Sequence, residues 1–279
     1  MKKKISITIS DGIAKRVDTF IDRLFIRNRS QAIESILKNA LDKNKIAVIL
    51  LGGDEEKLRI GEKYVPGIQI KGLPLIERQI KKLRENNFRE IFVVARKKIL
   101  EVIFGIMKEG AHYGVHINYI EEEINSRGSA ETLKILRNRI KDTFLIFFGD
   151  IVFDEIRIND LWHSHLKNPN MATLNLITYK NPLVKGEVLF EGDKIIEFQE
   201  KPRKQINENS YLVFSPIFVC EPELMQYPGI SLQEDIFPKL AKKNLLNGYV
   251  SSAIETHIHN KKDVEKANAE IKLKSSSAE

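Results

Sequence analysis

The pattern of apolar residues predicts a buried strand near residue 50. Residues 46–51 are six consecutive apolar residues, several of them β-branched, and they run into Gly52 and Gly53 and then into a charged turn. Such a run is typical of a strand that is buried on both faces of a parallel sheet. Because ligands of open α/β sheets bind at the carboxyl ends of the strands, we expect a ligand beside this glycine pair.

Similar patterns continue to the end of the chain. Helical spacing of apolar residues predicts helices over 74–83, 97–109, from 128, over 231–243 and over 261–274. Apolar runs and alternation predict strands over 91–95, 115–120, 144–148, 171–179, 186–190, 194–199, 211–219 and 249–254. Repeated strand-helix units imply an α/β fold with a mostly parallel, Rossmann-like sheet flanked by helices.

A different pattern precedes residue 45. Residues 4–10 alternate strictly between apolar and polar side chains, which predicts a strand, and Ser10 and Ser30 stand where they could cap two amphipathic helices. A core of about 45 residues is marginal, so we expect a second copy to complete it in a homodimer or a higher even oligomer. We therefore divide the chain into a small module (1–44), a large domain (45–274) and a tail (275–279).

The small module resembles the ribbon-helix-helix family of DNA-binding proteins, the Arc and methionine-repressor type. The resemblance implies that two copies pair their strands and insert the ribbon into the major groove of DNA. Lys4, Ser6 and Thr8 would then face the bases. Arg29 and Ser30 match the Arg-Ser pair with which the family holds a phosphate at the start of the second helix. The alternative is a ribbon that serves only in oligomerisation.

The charge distribution agrees with a DNA partner. Residues 1–45 contain 11 Lys and Arg against 5 Asp and Glu, so this segment carries +6 of the total net charge of +7. A cationic module is typical of polyanion binding, and the alternative is a solubilising surface. Cys220 is the single cysteine, and no apolar run approaches the roughly 20 residues that cross a bilayer. We therefore expect a cytoplasmic protein without a membrane partner.

Five short blocks carry the candidate chemistry of the large domain. In order, they are Leu51-Gly52-Gly53 with Leu58-Arg59, Gly72 with Pro74-Leu75-Ile76, Gly128-Ser129-Ala130, Phe148-Gly149-Asp150, and Gly186 and Val188 with Phe198-Gln199-Glu200-Lys201-Pro202. Their order and spacing resemble the sugar-1-phosphate nucleotidyltransferase family over residues 46–270. The resemblance implies transfer of a nucleotidyl group from a nucleoside triphosphate to a sugar phosphate, with Mg²⁺ and basic side chains neutralising charge.

Asp150 is the most specific candidate for a functional side chain among these residues. It directly follows an apolar strand at the carboxyl end of the sheet, where a carboxylate can bind a divalent cation beside phosphates. The alternative is an Asp that caps the next turn. By resemblance, the nucleotide and sugar phosphate would be bound by Gly52, Gly53, Gly128, Gly186, Glu200 and Lys201, and Lys201 would also be catalytic.

The loop after Gly53 departs from the family pattern. Asp54, Glu55 and Glu56 place three carboxylates where a triphosphate would lie, and like charges there would repel it. Lys57 stands where the family has an Arg, and we predict it to be catalytic. It keeps the positive charge of that Arg but lacks the forked guanidinium.

Other departures lie in the metal and sugar sites. His257 stands where the family has its second metal-binding Asp, so Asp150 and His257 are the predicted metal ligands. With His259, they would suit Zn²⁺ or Mn²⁺ better than Mg²⁺. The alternative is a solvent-facing histidine pair. The family's Pro-Lys-Pro lysine is replaced by Val65, and its Asn-Ala-Gly step corresponds to Phe214-Ser215-Pro216.

These departures favour a sensor over an enzyme, because a sensor needs a pocket whereas catalysis also needs the charge-neutralising groups. We predict a DNA-binding transcriptional regulator whose nucleotidyltransferase-like domain binds a nucleotide, sugar phosphate or nucleotide sugar as effector. One alternative is an active sugar-1-phosphate nucleotidyltransferase with an N-terminal DNA-binding or dimerisation module. A third possibility is an oligomeric scaffold.

Overall fold

A computed structural model describes most of the chain. The described residues are 6–21, 26–42, 45–122, 126–206 and 211–275. The chain divides into two compact units, residues 1–44 and residues 45–279. Among the described residues, no helix combines the length and the apolar character that a bilayer crossing requires.

The first unit contains two helices, α1 (Asp11–Asp18) and α2 (Arg29–Asp42). Residues 6–10 form no strand, so the described part of this unit does not show a ribbon-helix-helix module. Alternation alone predicts which face a strand would present, but a strand also needs a hydrogen-bonded neighbour, and the described residues of this unit supply only helices. Asn28, not Ser30, caps α2, because its side chain accepts a hydrogen bond from the Gln31 N–H at 3.0 Å.

The second unit alternates strands with helices. Its strands are β1 (Lys45–Leu51), β2 (Arg59–Ile60), β3 (Lys63–Tyr64), β4 (Gln69–Ile70), β5 (Leu73–Pro74), β6 (Phe88–Ala95), β7 (His116–Glu121), β8 (Phe144–Phe148), β9 (Ile151–Val152), β10 (Ala172–Thr178), β11 (Gly186–Glu191), β12 (Lys194–Glu200), β13 (Leu212–Cys220), β14 (Leu246–Val250) and β15 (Thr256–His257). Its α-helices are α3 (Leu75–Glu85), α4 (Lys97–Met107), α5 (Ser129–Lys134), α6 (Ile158–Lys167), α7 (Phe237–Ala241) and α8 (Lys261–Ser275).

The main sheet is mixed, which corrects the prediction of a mostly parallel, Rossmann-like sheet. Its strand order is β10-β14-β12-β11-β13-β8-β1-β6-β7, and β10 also pairs with β13, so five of its strands form a small closed arrangement. Strands β8, β1, β6 and β7 are parallel, whereas β13 runs antiparallel to β8. The sequence does not predict the direction of these strands, because a buried apolar run has the same pattern in a parallel and in an antiparallel strand.

Strand β1 is buried on both faces, as its apolar run predicts. Val48 and Leu50 belong to one hydrophobic cluster, whereas Ala47, Ile49 and Leu51 belong to the cluster on the other face. Successive side chains of a strand point to opposite faces, so a strand covered on both sides must be apolar at every position.

The second half of the unit differs in detail from its predicted elements. The predicted helix over 231–243 is a π-helical turn, Leu232–Ile236, followed by α7. Pro238 lies in the first turn of α7, where its missing N–H costs no helical hydrogen bond. The strand predicted at 249–254 is β14, which begins and ends earlier.

The ring of Phe237 makes edge contacts with three other rings. Its centroid lies 5.3–5.4 Å from those of Phe198, Phe214 and Phe218. We expect Phe237→Ala to lower the free energy of unfolding by about 3–5 kcal/mol, because it leaves a cavity at the centre of this cluster. Urea denaturation measures the loss. Leu166→Ala, at a half-exposed position, is the control, and equal losses in the two variants would contradict this account of the core.

Candidate functional site

Asp150 is held at the end of β8 by backbone and side-chain hydrogen bonds. The N–H of Gly149 donates to the Leu50 carbonyl of the neighbouring strand at 3.0 Å. The buried amide of Gln79, on α3, donates to the carbonyls of Gly149 at 3.0 Å and Ile151 at 2.9 Å. These contacts fix the backbone on both sides of Asp150, so the carboxylate projects from an anchored turn.

Two cavities meet at Asp150. The smaller one, of about 150 Å³, is lined by Gly52, Gly53 and Gly128. The larger one, of about 430 Å³, is lined by residues that include Gly186, Glu200, Lys201 and His257. Asp150 and Phe148 line both cavities. The structure thus gathers the residues predicted for the nucleotide on one side of Asp150 and those predicted for the sugar phosphate on the other.

The glycine pair after β1 packs against a buried carboxylate. Glu122 is 2% exposed, and its Oε2 accepts a hydrogen bond from the Gly53 N–H at 2.6 Å. Its other oxygen accepts a hydrogen bond from the Thr132 hydroxyl. Gly53 has φ +91°, which favours glycine, and a Cβ on Gly52 would overlap the Glu122 carboxylate. Sequence reasoning missed Glu122, whose only signal is an acid directly after β7.

The three loop carboxylates face internal partners, contrary to the prediction that they oppose a triphosphate. Asp54 accepts a hydrogen bond from the Glu56 N–H at 3.1 Å. Glu55 pairs with Lys98 at 2.7 Å, and the Glu56 carboxylate lies 3.4 Å from Arg59. None of the three lines either cavity, and neither does the exposed Lys57. Two of the three carboxylates therefore have a cationic partner, Glu55 with Lys98 of α4 and Glu56 with Arg59, which weakens the repulsion argument against catalysis.

Glu200 and Lys201 end β12 beside the larger cavity. Glu200 pairs across the hairpin with Gly186, so their register brings both into the same wall. Burial raises the pKa of the Glu200 carboxyl, and the positive charge of Lys201 opposes that rise only in part. Lys201 extends toward solvent, with its Nζ 3.9 Å from Glu200. A carboxylate that is costly to ionise and a solvent-exposed ammonium are suited to contact sugar hydroxyls and a phosphate.

A buried network under the larger cavity escaped the sequence analysis. Glu255 is 1% exposed at its side chain and accepts hydrogen bonds from Lys185 at 2.6 Å and from the Ser215 hydroxyl. Burial raises the pKa of Glu255, but the hydrogen bond with His257 and the charge of Lys185 outweigh it, so the net pKa is lowered. The sequence offers only proximity as a sign of these two residues: Lys185 directly precedes the candidate Gly186, and Glu255 lies two residues before the candidate His257.

The predicted metal ligands come together, with His259 joining them. Asp150, His257 and His259 each offer one ligand atom, and these atoms lie within 4.8 Å of one another. The short pairing of β9 with β15 places His257 opposite Ile151, and the Ile258 N–H donates to the Asp150 carbonyl at 2.8 Å. Asp150 Oδ1 is buried and has no hydrogen-bond partner in the described part of the chain. These side chains can hold a divalent cation.

The residues predicted to contact DNA occupy other surroundings. The Arg29 guanidinium donates two hydrogen bonds to Asp18, at 2.6 and 2.7 Å, and this hydrogen bonding lowers the pKa of the Asp18 carboxyl. Ser6 and Thr8 are exposed and belong to no strand, and Lys4 lies outside the described residues. Asn28 takes the capping role expected of Ser30, and a phosphate contact at Arg29 and Ser30 stays a prediction without support in the structure.

Comparison with known proteins gives consistent results for the second unit. Residues 46–264 match the family model described as nucleotidyl transferase. A protein of Sulfolobus acidocaldarius named as a mannose-1-phosphate guanyltransferase is 27% identical over 70% of this chain and 54% of its own length. A bifunctional protein GlmU of Methanococcus maripaludis is 27% identical over 80% of this chain and 53% of its own length. The chain thus spans about half the length of the curated relatives it matches.

A solved structure supports the same fold. The crystal structure of a protein from Bacillus anthracis, titled as a glucose-1-phosphate thymidylyltransferase, is 19% identical and aligns with a TM-score of 0.72 over 81% of this chain and 94% of that chain. The prediction of a DNA-binding transcriptional regulator is wrong, because these relatives are named as sugar-1-phosphate nucleotidyltransferases.

The raised pKa of Glu200 gives a pH dependence of stability. The folded state binds the Glu200 proton more tightly than the unfolded state, so ionisation destabilises the fold as pH rises through and above the ordinary glutamate range. We expect Glu200→Gln to have a higher melting temperature than the parent at pH 7 and to lose that advantage near pH 4. Differential scanning calorimetry tests this, with Glu191→Gln on the same hairpin as control. A gain in melting temperature that is the same at pH 4 and pH 7 would contradict the assignment of this effect to ionisation of Glu200.

Proposed function

We propose that this chain, which belongs to the nucleotidyl transferase family, transfers a nucleotidyl group from a nucleoside triphosphate to a sugar 1-phosphate and releases pyrophosphate. The observation that carries the proposal is the position of Asp150 in the wall shared by two cavities. A transferase must bring two anionic substrates to one point, and two cavities that share a wall at Asp150 and Phe148 meet this requirement. The sugar 1-phosphate class comes from the names of the relatives.

In the proposed reaction, a phosphate oxygen of the sugar 1-phosphate attacks the α-phosphorus of the triphosphate. A new P–O bond forms, the bond from the α-phosphorus to the bridging oxygen breaks, and pyrophosphate leaves with that electron pair. The protein contributes positioning and charge neutralisation, which dominate phosphoryl and nucleotidyl transfer. The smaller cavity accommodates the nucleotide between Gly52, Gly53 and Gly128, and the larger one accommodates the sugar phosphate.

Basic side chains on the sugar side support this assignment. Lys201 and Lys266 line the larger cavity, where they can neutralise the phosphate of the acceptor, whereas Lys185 in the same wall is paired with Glu255. Glu200 is placed to accept hydrogen bonds from sugar hydroxyls at the hairpin that also carries Gly186. Lys201 and Lys57 stay predicted catalytic residues. Lys57 would reach phosphates only if the loop adjusts on binding, since it lines neither cavity.

Members of the sugar nucleotidyltransferase family typically use divalent metal ions. Asp150 fits this requirement, because its buried Oδ1 lacks a hydrogen-bond partner among the described residues. A cation there would supply positive charge between the two substrates. Asp150 and His257 would hold it, and the identity of the cation depends on the donor atoms around Asp150.

We expect pyrophosphate release when the chain is incubated with a matching triphosphate and sugar 1-phosphate. The assay tests five triphosphates: ATP, GTP, UTP, CTP and dTTP. Each is combined with the 1-phosphates of glucose, mannose and N-acetylglucosamine, and each pair is tested with Mg²⁺, Mn²⁺, Co²⁺ or Zn²⁺. Asp150→Asn should reduce kcat by at least about 100-fold, because it removes charge at the shared wall.

The control for that measurement is Asp160→Asn, which removes a half-exposed carboxylate on α6. It should leave the rate within about twofold, since surface substitutions are usually mild. Pyrophosphate release that Asp150→Asn leaves unchanged would refute the proposed site. Absence of turnover across the whole panel, with each substrate nevertheless binding, would refute the transferase function.

Self-association through the first unit stays a prediction. Ile7, Ile13 and Phe20 leave about half of their side chains exposed, and a second copy would cover them in a homodimer or higher even oligomer. We expect light scattering to give at least twice the chain mass of 32.1 kDa. The substitutions Ile7→Asp and Ile13→Asp together should yield the monomer mass. A monomeric parent protein would contradict this prediction.

A further inference from the structure

The ligand atoms around Asp150 are of two chemical kinds. Asp150 offers a carboxylate oxygen, whereas His257 and His259 each offer an imidazole nitrogen within the same 4.8 Å cluster. Mg²⁺ takes oxygen ligands in an octahedral arrangement and retains several waters. Imidazole nitrogen instead suits zinc and the later first-row transition metals. The donor set therefore does not fit Mg²⁺, the cation that the sequence resemblance implied.

We infer that this chain binds an imidazole-preferring dication of the Zn²⁺ and Co²⁺ class, rather than Mg²⁺, at Asp150, His257 and His259. Its use in nucleotidyl transfer rests on the proposed function, but its binding is a property of the chain alone. Two histidines and one carboxylate also leave coordination positions open for water or phosphate oxygens. Such a site can hold an ion and a substrate together.

A second observation points to the same kind of ion. His257 Nε2 lies 3.1 Å from the Glu255 carboxylate, which is buried beneath the cluster. Histidines that bind metals almost always donate their other ring N–H to a carboxylate, a carbonyl or water. Cation binding at Nδ1 requires the tautomer in which Nε2–H donates to Glu255, and the Lys185 ammonium then donates to Glu255 rather than to Nε2. Glu255 is thus a positioning residue that selects the tautomer of His257.

The surrounding charges permit a cation at this place. Lys185 approaches His257 Nε2 at 2.9 Å, but its ammonium group is paired with Glu255 at 2.6 Å, so the buried pair carries little net charge. The Ser215 hydroxyl donates to the same carboxylate and holds it in place. Asp150 has a buried oxygen without a hydrogen-bond partner in the described residues, and its second oxygen lies 3.6 Å from His259 Nδ1. A bound dication would satisfy that oxygen.

The test measures metal binding by the full chain without substrates. After treatment with a chelator, the protein is titrated calorimetrically with Mg²⁺, Mn²⁺, Co²⁺ and Zn²⁺ in turn, and the visible absorption of the Co²⁺ form reports its ligands. We expect one tight site with affinities in the order Mg²⁺ < Mn²⁺ < Co²⁺, and with Zn²⁺ at least about 100-fold tighter than Mg²⁺, a margin that imidazole ligands favour. Equal affinities for Mg²⁺ and Zn²⁺ would overturn the inference.

Variants separate a built site from incidental histidine binding. His259→Ala, at an exposed position, should weaken Co²⁺ and Zn²⁺ binding at least tenfold and change the Co²⁺ spectrum, whereas His163→Ala, an exposed histidine on α6, should change neither. His257→Asp should narrow the preference for Zn²⁺ over Mg²⁺, because it replaces nitrogen by oxygen. Glu255→Gln should weaken Zn²⁺ binding about 10- to 100-fold without changing the ligand set. Unchanged binding in His259→Ala would refute the site.

The outcomes also separate this inference from the proposed function. Tight Zn²⁺ binding without pyrophosphate release on any substrate pair would leave the metal site standing and refute the transferase. Pyrophosphate release with Mg²⁺ alone, together with weak Zn²⁺ binding, would support the transferase and refute the metal site.

Discussion

The site depends on the hydrogen bonds that hold the turn after β8. Gln79 is buried in α3, and its amide donates to the carbonyls on both sides of Asp150. Both carbonyls thereby gain a buried donor, and a buried carbonyl left without a partner costs about 1–3 kcal/mol. The Asp150 carbonyl in turn accepts from Ile258, between the two histidines. The carboxylate and both imidazoles are therefore positioned by backbone contacts that do not involve a ligand.

The charges around the cavities follow a related rule. Glu122, Glu255 and Glu55 each have an internal partner, which is the Gly53 amide, the Lys185 ammonium and the Lys98 ammonium respectively. Of these three carboxylates only Glu255 lines a cavity, and its pairing with Lys185 keeps a free charge from that wall. Asp150 and Glu200 differ, because they line the larger cavity with less internal neutralisation. This division makes a pocket with many acids compatible with phosphates.

Local sequence patterns predicted the parts of the molecule that local physics decides. The apolar run of β1 is buried on both faces, and the glycines after it and at residue 128 lie beside one cavity, since run length and glycine spacing are short-range signals. Contacts between distant segments were not predictable. Glu122 meets Gly53 across 69 residues, and Lys185 meets Glu255 across 70. The alternation of residues 6–10 predicted a strand that the structure does not contain, because alternation specifies the face of a strand but not its neighbour. The pairing of Arg29 with Asp18 was not predictable either, since it leaves no periodic pattern in the sequence.

The topology explains why Asp150 lies between two different cavities. Strand β8 pairs in parallel with β1 on one side and antiparallel with β13 on the other, so the strand pairing of the sheet changes from parallel to antiparallel at β8. The parallel side supplies the glycine loop after β1. The antiparallel side supplies the hairpin of β11 and β12, with Gly186 and Glu200. In the proposed function, the hairpin is separate from the turn that Gln79 holds, so substitutions in the hairpin would change which sugar phosphate binds while Asp150 keeps its position. A single fold can in this way combine a fixed reaction centre with a variable acceptor pocket.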